Sequence, residues 1–450
     1  MLAESSGGIG GTFIAYDIKP PRVVGLAGAI LTSLNGVVGS GIFALPALLF
    51  AAAGTFSPIA VLIFACLYGS VLAVIAKLST VFRQSGGAQL YAEHAFGPAV
   101  GFQVGWFSLA VNMAGAAANF HVLVSYLAAI FPFFGDPLIR LMTIAVLILA
   151  FSAISISGAA RSIGAIAIGT VLKLSPILLL IVVGLAQNGL PSEVDLPQFS
   201  EFESIALLLA FAFSGCDVAV YAAGETKEPR KTMMRALMMN LAGVAVFYAL
   251  VQLAYAVTAP DPSQVDIPLA AMGEKLLGPT GSLLVSLAAI FSIATFQINV
   301  FFLVPRLAYG MGRRGLLPHI FAYVSPRFQS PVVAIAAFAG FVGALALSGT
   351  FELLAVLVVS VEQLGFLVVI AALIVMWQRG DAGLRQNMGA RWLLIIPVAL
   401  GYIAWLMSQL SPISLVYMAI MVGIGIALYF LSRGAAVKQE GIDLPETRAL

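Results

Sequence analysis

The sequence predicts an all-α integral membrane protein that crosses the bilayer twelve times. Three observations carry that prediction: too few charges for a water-covered surface, twelve apolar runs, and a one-sided distribution of Lys and Arg. Of 450 residues, 61% are hydrophobic and only 9% are charged, and the mean hydropathy is +1.04. Soluble domains carry about 25% charged residues, so lipid must replace water over most of this surface. Strands fit poorly, because a transmembrane barrel needs alternating segments of about 10 residues and these runs are continuously apolar.

In chain order, spans one to six cover 24–52, 57–81, 99–130, 138–157, 162–186 and 204–224. Spans seven to twelve cover 233–258, 280–310, 332–348, 352–377, 392–410 and 413–432. A helix needs about 20 apolar residues to cross a hydrocarbon core of about 30 Å. Gly/Pro-containing or charged stretches separate most of the runs. The chain therefore divides into an N-terminal segment (1–23), spans one to five (24–186), spans six to ten (204–378), spans eleven and twelve (392–432) and a tail (433–450). With the N-terminus inside, 19 of the 22 Lys and Arg residues fall in connections on the cytoplasmic side. Arg140 and Lys275 fall outside, and Lys173 lies within span five. This asymmetry predicts cytoplasmic N- and C-termini.

Other features narrow the function. A net charge of +2 suggests no nucleic acid partner. Cys66 and Cys216 lie in apolar stretches, and the histidines His94, His121 and His319 are far apart, so neither a disulfide framework nor a metal spacing is expected. The first 22 residues lack the charged, apolar and small-residue sequence of a cleaved signal peptide.

Spans one and six are interrupted. Span one reads Asn35-Gly36-Val37-Val38-Gly39-Ser40-Gly41-Ile42-Phe43, and span six reads Phe211-Ala212-Phe213-Ser214-Gly215-Cys216-Asp217. Each glycine weakens a helix by about 1 kcal/mol relative to alanine. Single glycines in membrane helices mostly serve close packing, but here two clusters occupy the first members of two sets of five spans. Five is odd, so the second set enters the membrane from the opposite face, as inverted repeats do. Unwound backbone at membrane depth offers amides to a carboxylate and carbonyls to an ammonium. An amino acid carries both groups.

At these residues the sequence resembles the amino acid–polyamine–organocation superfamily of transporters. Gly39-Ser40-Gly41-Ile42-Phe43 is similar to its first-span motif, and Phe211 to Asp217 with Gly224-Glu225-Thr226-Lys227-Glu228-Pro229-Arg230 to its sixth-span motif. Ser85-Gly86-Gly87 with Ala95-Phe96-Gly97-Pro98 resembles the loop before span three, and Arg313-Arg314-Gly315-Leu316-Leu317-Pro318 the loop after span eight. The resemblance implies a five-plus-five inverted repeat with two extra helices, alternating access, and a place in the plasma membrane, here a bacterial inner membrane. It implies that a substrate carboxylate meets the backbone amides of Ser40 and Gly41 and the Ser40 hydroxyl, within the stretch Gly39 to Gly41. The ammonium would meet carbonyls near Val37, Phe211, Ala212 and Ser214, with the Phe211 ring as a lid. Two departures stand out: Ala76-Lys77-Leu78 reverses the charge of a family Ala-Glu-Leu, and the loop 131–137 has no cysteine for a disulfide-linked heavy chain.

Lys173, about half way along span five, is costly at that depth and is a functional candidate. It matches the position where one sodium-independent subgroup replaces a sodium ion with an ammonium group. It is expected to brace spans one, five and eight and to couple protons, or to serve as a fixed brace only. No other cofactor or metal is expected. Asp217 suits a half-helix cap. Glu362 in span ten faces either a water-filled route or an unidentified polar partner. Ser292, Thr295 and Asn299 share one face of span eight, expected to look toward spans one and five. His121 reads as a hydrogen-bonded core residue. No acid other than Asp217 lies in the broken segments, and the candidate lining (Val37, Val38, Met113, Ala114, Ala117, Ala212, Ser214, Cys216) is apolar or small. That favours a neutral amino acid, carried by proton-coupled transport, with exchange or export as alternatives. A membrane-embedded protease lacks its paired aspartates, nucleophile–base pair or metal motif, and a sensor lacks a signalling domain in short termini. The sequence leaves open which amino acid is carried, the role of Lys77 and the oligomeric state.

Overall fold

The computed structural model describes residues 36–82, 87–157, 163–194, 205–217, 229–261, 263–381 and 392–433, with isolated positions between them; side chains 163–172, 229–231 and 393 are excepted. Among the described residues there is no strand. Span one resumes as Gly41–Ala53, span two is Ser57–Val81, span three Pro98–Ile130 and span four Pro137–Ser157. Span five is Ile163–Asn188, the first half of span six Ala206–Phe213, and span seven Pro229–Thr258. Span nine is Val332–Ser348, span ten Phe351–Arg379, span eleven Trp392–Ser408 and span twelve Pro412–Arg433. Prolines open several of these helices, where a missing N–H costs nothing. Gly380, left-handed at φ 77°, closes span ten.

Seven described stretches are long and apolar enough to cross a membrane, by length and composition. One of them, Gly41–Val81, holds the end of span one and all of span two. Shorter apolar helices within spans five, nine and eleven and the half-helix of span six complete the set of twelve. The protein is an integral membrane protein.

Two helices lie outside the predicted spans. Gly87–Phe96 is helical where the sequence pattern reads as a loop. Span eight continues backward to Pro268, and its helix is broken at Gly278. The two additions correspond: each follows the second helix of its set and ends at a glycine of positive φ before a proline. These are Gly97 (φ 91°) before Pro98 and Gly278 (φ 67°) before Pro279. A glycine follows closely in each case because the backbones touch. A Cβ on Gly101 would lie 2.5 Å from the Glu93 Cβ, and one on Gly281 would collide with the Gly273 carbonyl.

Packing follows the same internal symmetry. Spans one and six, two and seven, three and eight, and four and nine each pack on their counterparts. Span five packs on span eight, and span ten on span three, as a five-plus-five inverted repeat requires. Rings of Phe120, Phe151, Phe301 and Phe338 interlock where spans three, four, eight and nine meet. Spans eleven and twelve lie against spans two, three and ten. There Trp106 Nε1 donates to the Met421 carbonyl at 2.8 Å. Helix Gly87–Phe96 is pinned by Arg314, which donates to both Glu93 carboxylate oxygens at 2.7 Å, and by His94, 3.4 Å from Asp381.

Gly101→Val is expected to destabilise the protein by about 1–3 kcal/mol, because the added atoms meet helix Gly87–Phe96. Thermal unfolding in detergent checks this; Gly340→Ala, in open space, is the control.

Candidate functional site

Helical bonding in span one stops at Val38. The Val38 N–H still reaches the Leu34 carbonyl at 3.0 Å, but Gly39 N–H turns back to Val37 at 2.7 Å. The helix restarts when Phe43 and Ala44 both donate to the Ser40 carbonyl at 3.0 Å. The freed groups are held by three other spans. Asn119 Oδ1 of span three accepts the Ser40 N–H at 3.0 Å. Tyr248 Oη of span seven donates to the Val37 carbonyl at 3.2 Å. Lys173 Nζ of span five, only 3% exposed, donates to the Val38 carbonyl at 3.3 Å.

Span six breaks after Phe213. Ser214 N–H bonds to Phe211 at 3.1 Å and Cys216 N–H to Phe213 at 3.3 Å. Gly215 takes φ 92°, which favours glycine. The Ser214 hydroxyl donates to Glu362 Oε1 of span ten at 2.6 Å. The second half of span six falls largely outside the described residues, so a capping role for Asp217 lies there too. Asp217 itself is half-buried, and its carbonyl accepts the Val220 N–H at 2.9 Å.

The two breaks meet. A Cβ on Gly41 would lie 3.5 Å from Ala212 Cα and 3.9 Å from the Phe211 ring. Gly41 of the first break is thus brought against Phe211 and Ala212 of the second, with an adjoining apolar cleft between Gly41, Ile42, Ala212, Tyr248 and Gln252. Phe211 is half-buried and stands edge-on to Phe351, centroids 5.7 Å apart. Met113 is buried in span three.

The Thr295 hydroxyl bonds to the Phe291 carbonyl at 2.8 Å, and Asn299 Nδ2 to the Thr295 carbonyl at 3.1 Å, both within their own helix. Span eight meets the break through Phe296, whose ring lies 3.9 Å from a Cβ built on Gly39. Its neighbour Gln297 is buried and reaches the Ala116 carbonyl of span three at 2.9 Å. His121 bonds to the Ala346 carbonyl at 2.9 Å, inside the bundle. Among the described residues, no three His, Cys, Asp or Glu side chains converge to hold a metal ion.

Three contributors escaped the sequence reading. Asn119, an amide at the end of Ala116-Ala117-Ala118, carried a signal: a polar side chain in an apolar run needs a partner. Tyr248 and Phe296 carried none, since aromatic residues fill every span.

Two discontinuous helices that meet at their breaks in mid-bundle are the mark of a transporter. The chain belongs to the amino acid permease family, whose profile matches residues 24–440, and so to the amino acid–polyamine–organocation superfamily. It is 25% identical to the methylthioribose transporter of Bacillus subtilis (strain 168), over 89% of this chain and 91% of that one. It is 26% identical to the serine/threonine exchanger SteT of the same strain, over 70% and 74%. It is 29% identical to the low-affinity putrescine importer PlaP of Escherichia coli (strain K12), over 65% of each chain. These relatives are transporters, and so is this protein; it is not an enzyme.

Asn119→Leu leaves the Ser40 N–H buried without an acceptor. A loss of about 1–3 kcal/mol in stability is expected, measurable as a lower unfolding temperature in detergent.

Proposed function

We propose that the protein is a secondary active carrier of small neutral amino acids, working by alternating access without sodium and coupled to protons. The observation that carries this reading is the Lys173 ammonium on the Val38 carbonyl. A cation at a broken helix holds carbonyls that would otherwise go unpaired, and Lys173 supplies that cation from the protein itself. Moving a buried ammonium costs several kcal/mol, so its proton can be lost when the site changes exposure. The neutral-substrate reading is supported by the small and apolar residues around the breaks, namely Val37, Gly39, Gly41 and Ala212. The serine/threonine exchanger among the relatives agrees with it. The excess of Lys and Arg on one side supports cytoplasmic termini in a bacterial plasma membrane.

A second reading has a specific observation behind it. Asp217 is the one acid in the broken segments of the sequence, yet Glu362 of span ten bonds to Ser214. That carboxylate would suit a substrate with a second ammonium, such as a diamine.

The test is uptake of labelled amino acids and putrescine into proteoliposomes, with and without an inward proton gradient and internal substrate. Gradient-driven uptake of a neutral amino acid, independent of sodium, is the expected result. Lys173→Met removes a hydrogen bond from a charged group, worth about 1.5–3 kcal/mol, and is expected to slow that uptake by roughly 10- to 100-fold. Unchanged uptake and pH profile in Lys173→Met would overturn the role of Lys173, and preference for putrescine would favour the second reading.

A further inference from the structure

Lys173 has a counterpart of opposite charge. It lies ten residues into span five, counted from Ile163, and its side chain meets the break in span one. Glu362 lies eleven residues into span ten, counted from Phe351, and its side chain meets the break in span six. Spans five and ten are the fifth helices of their sets, and spans one and six the first, so the internal symmetry that relates the repeats relates these two contacts. One repeat holds its unwound segment with an ammonium on a carbonyl, the other with a carboxyl on a serine hydroxyl.

The surroundings of Glu362 set its chemistry. The residue is 9% exposed. Its Oε1 is held by Ser214, while Oε2 is buried with no hydrogen-bond partner. The titratable groups facing it are Asp217 and Cys216 of span six, Tyr68 of span two and Tyr402 of span eleven. The hydroxyls of Tyr68 and Tyr402 are likewise buried without partners. Spans three and twelve and helix Gly87–Phe96 also pack on span ten, and none contributes a charge acting on Glu362. Among the described residues no Lys or Arg faces it. An ion in such a place costs several kcal/mol unless it is paired. Two carboxylates sharing a water-poor site do not both stay charged.

We infer that Glu362 is a second proton-carrying residue of the transport cycle, exchanging its proton with water as the segment around Ser214 opens. When the region is closed, Glu362 holds the proton and is neutral, and the Ser214 hydroxyl still has an oxygen to donate to. When span six moves and water enters, the proton leaves to that water and the carboxylate is hydrated. The proton is the only species transferred, and no covalent bond to carbon changes. Closing again requires a proton or a substrate cation to neutralise the group, which ties the conformational change to protonation through one hydrogen bond. The inference rests on the proton-coupled reading proposed above, with Lys173 as the first coupling group.

The test combines transport with a direct readout of the carboxyl. In proteoliposomes, the ratio of proton-gradient-driven uptake to exchange uptake of labelled serine is measured for the wild type, Glu362→Gln and Ser214→Ala. The ratio is expected to fall to about one in Glu362→Gln, and to an intermediate value in Ser214→Ala, in which the carboxyl stays but its link to the break is lost. Infrared difference spectra between acidic and neutral pH are recorded on the same membranes, with Asp217→Asn as a comparison. A protonated-carboxyl band that vanishes in Glu362→Gln and survives in Asp217→Asn is expected. A ratio kept at the wild-type value in Glu362→Gln, or a band unaffected by that substitution, overturns the inference. Loss of putrescine uptake alone overturns it too, in favour of a cation subsite. If the wild type shows exchange and no gradient response, the proton-coupled reading fails by itself, and the infrared band still decides whether Glu362 titrates. If Glu362→Gln is inactive, the band again decides.

Discussion

Backbone that leaves a helix inside a membrane must find hydrogen-bond partners, because lipid supplies none. The rest of this structure is arranged around that constraint. Around Val37 to Ser40, each partner comes from a different span: Tyr248, Lys173 and Asn119. Around Ser214 the partner is Glu362. The breaks are therefore kept by side chains that can let go one at a time. A segment held this way can shift without unfolding the helices beside it.

The internal repeat extends this logic beyond the two broken helices. Its marks recur at several levels: counterpart spans that pack on one another, a short helix before spans three and eight, and a glycine of positive φ followed by proline at the end of each. It also places an ammonium and a carboxyl at related positions. An inverted repeat supplies two similar scaffolds that face opposite sides, while the sequence remains free to place different chemistry on each.

The three relatives carry chemically different substrates by their names: a thiosugar, hydroxy amino acids and a diamine. A shared scaffold of broken helices accommodates that range because it recognises through backbone groups, which substitution does not change. Selectivity then falls to the side chains that close around the region. In this protein Phe211, Ala212 and Phe296 are the residues that lie against the glycines of the first break.

Composition, apolar run length and the placement of Lys and Arg suffice for the membrane class and for twelve spans, because the bilayer sets length and polarity locally along the chain. The breaks were legible for the same reason: clustered glycines weaken a helix wherever it packs. Lys173 and Glu362 stood out as ionisable residues in apolar runs. Their partners did not. That Glu362 reaches Ser214, 148 residues away in sequence, follows from the packing of span ten against span six. How the spans pack likewise decided that Asn119 of span three holds the Ser40 amide. The helix Gly87–Phe96 was hidden by a short, mixed sequence, although the Gly-Pro pair after it recurs at Gly278-Pro279. The sequence by itself determined where the chain crosses the membrane and where its helices break, since those depend on local polarity and propensity. Only the tertiary structure decided which side chain meets which break, because a hydrogen bond between distant spans depends on how the helices pack.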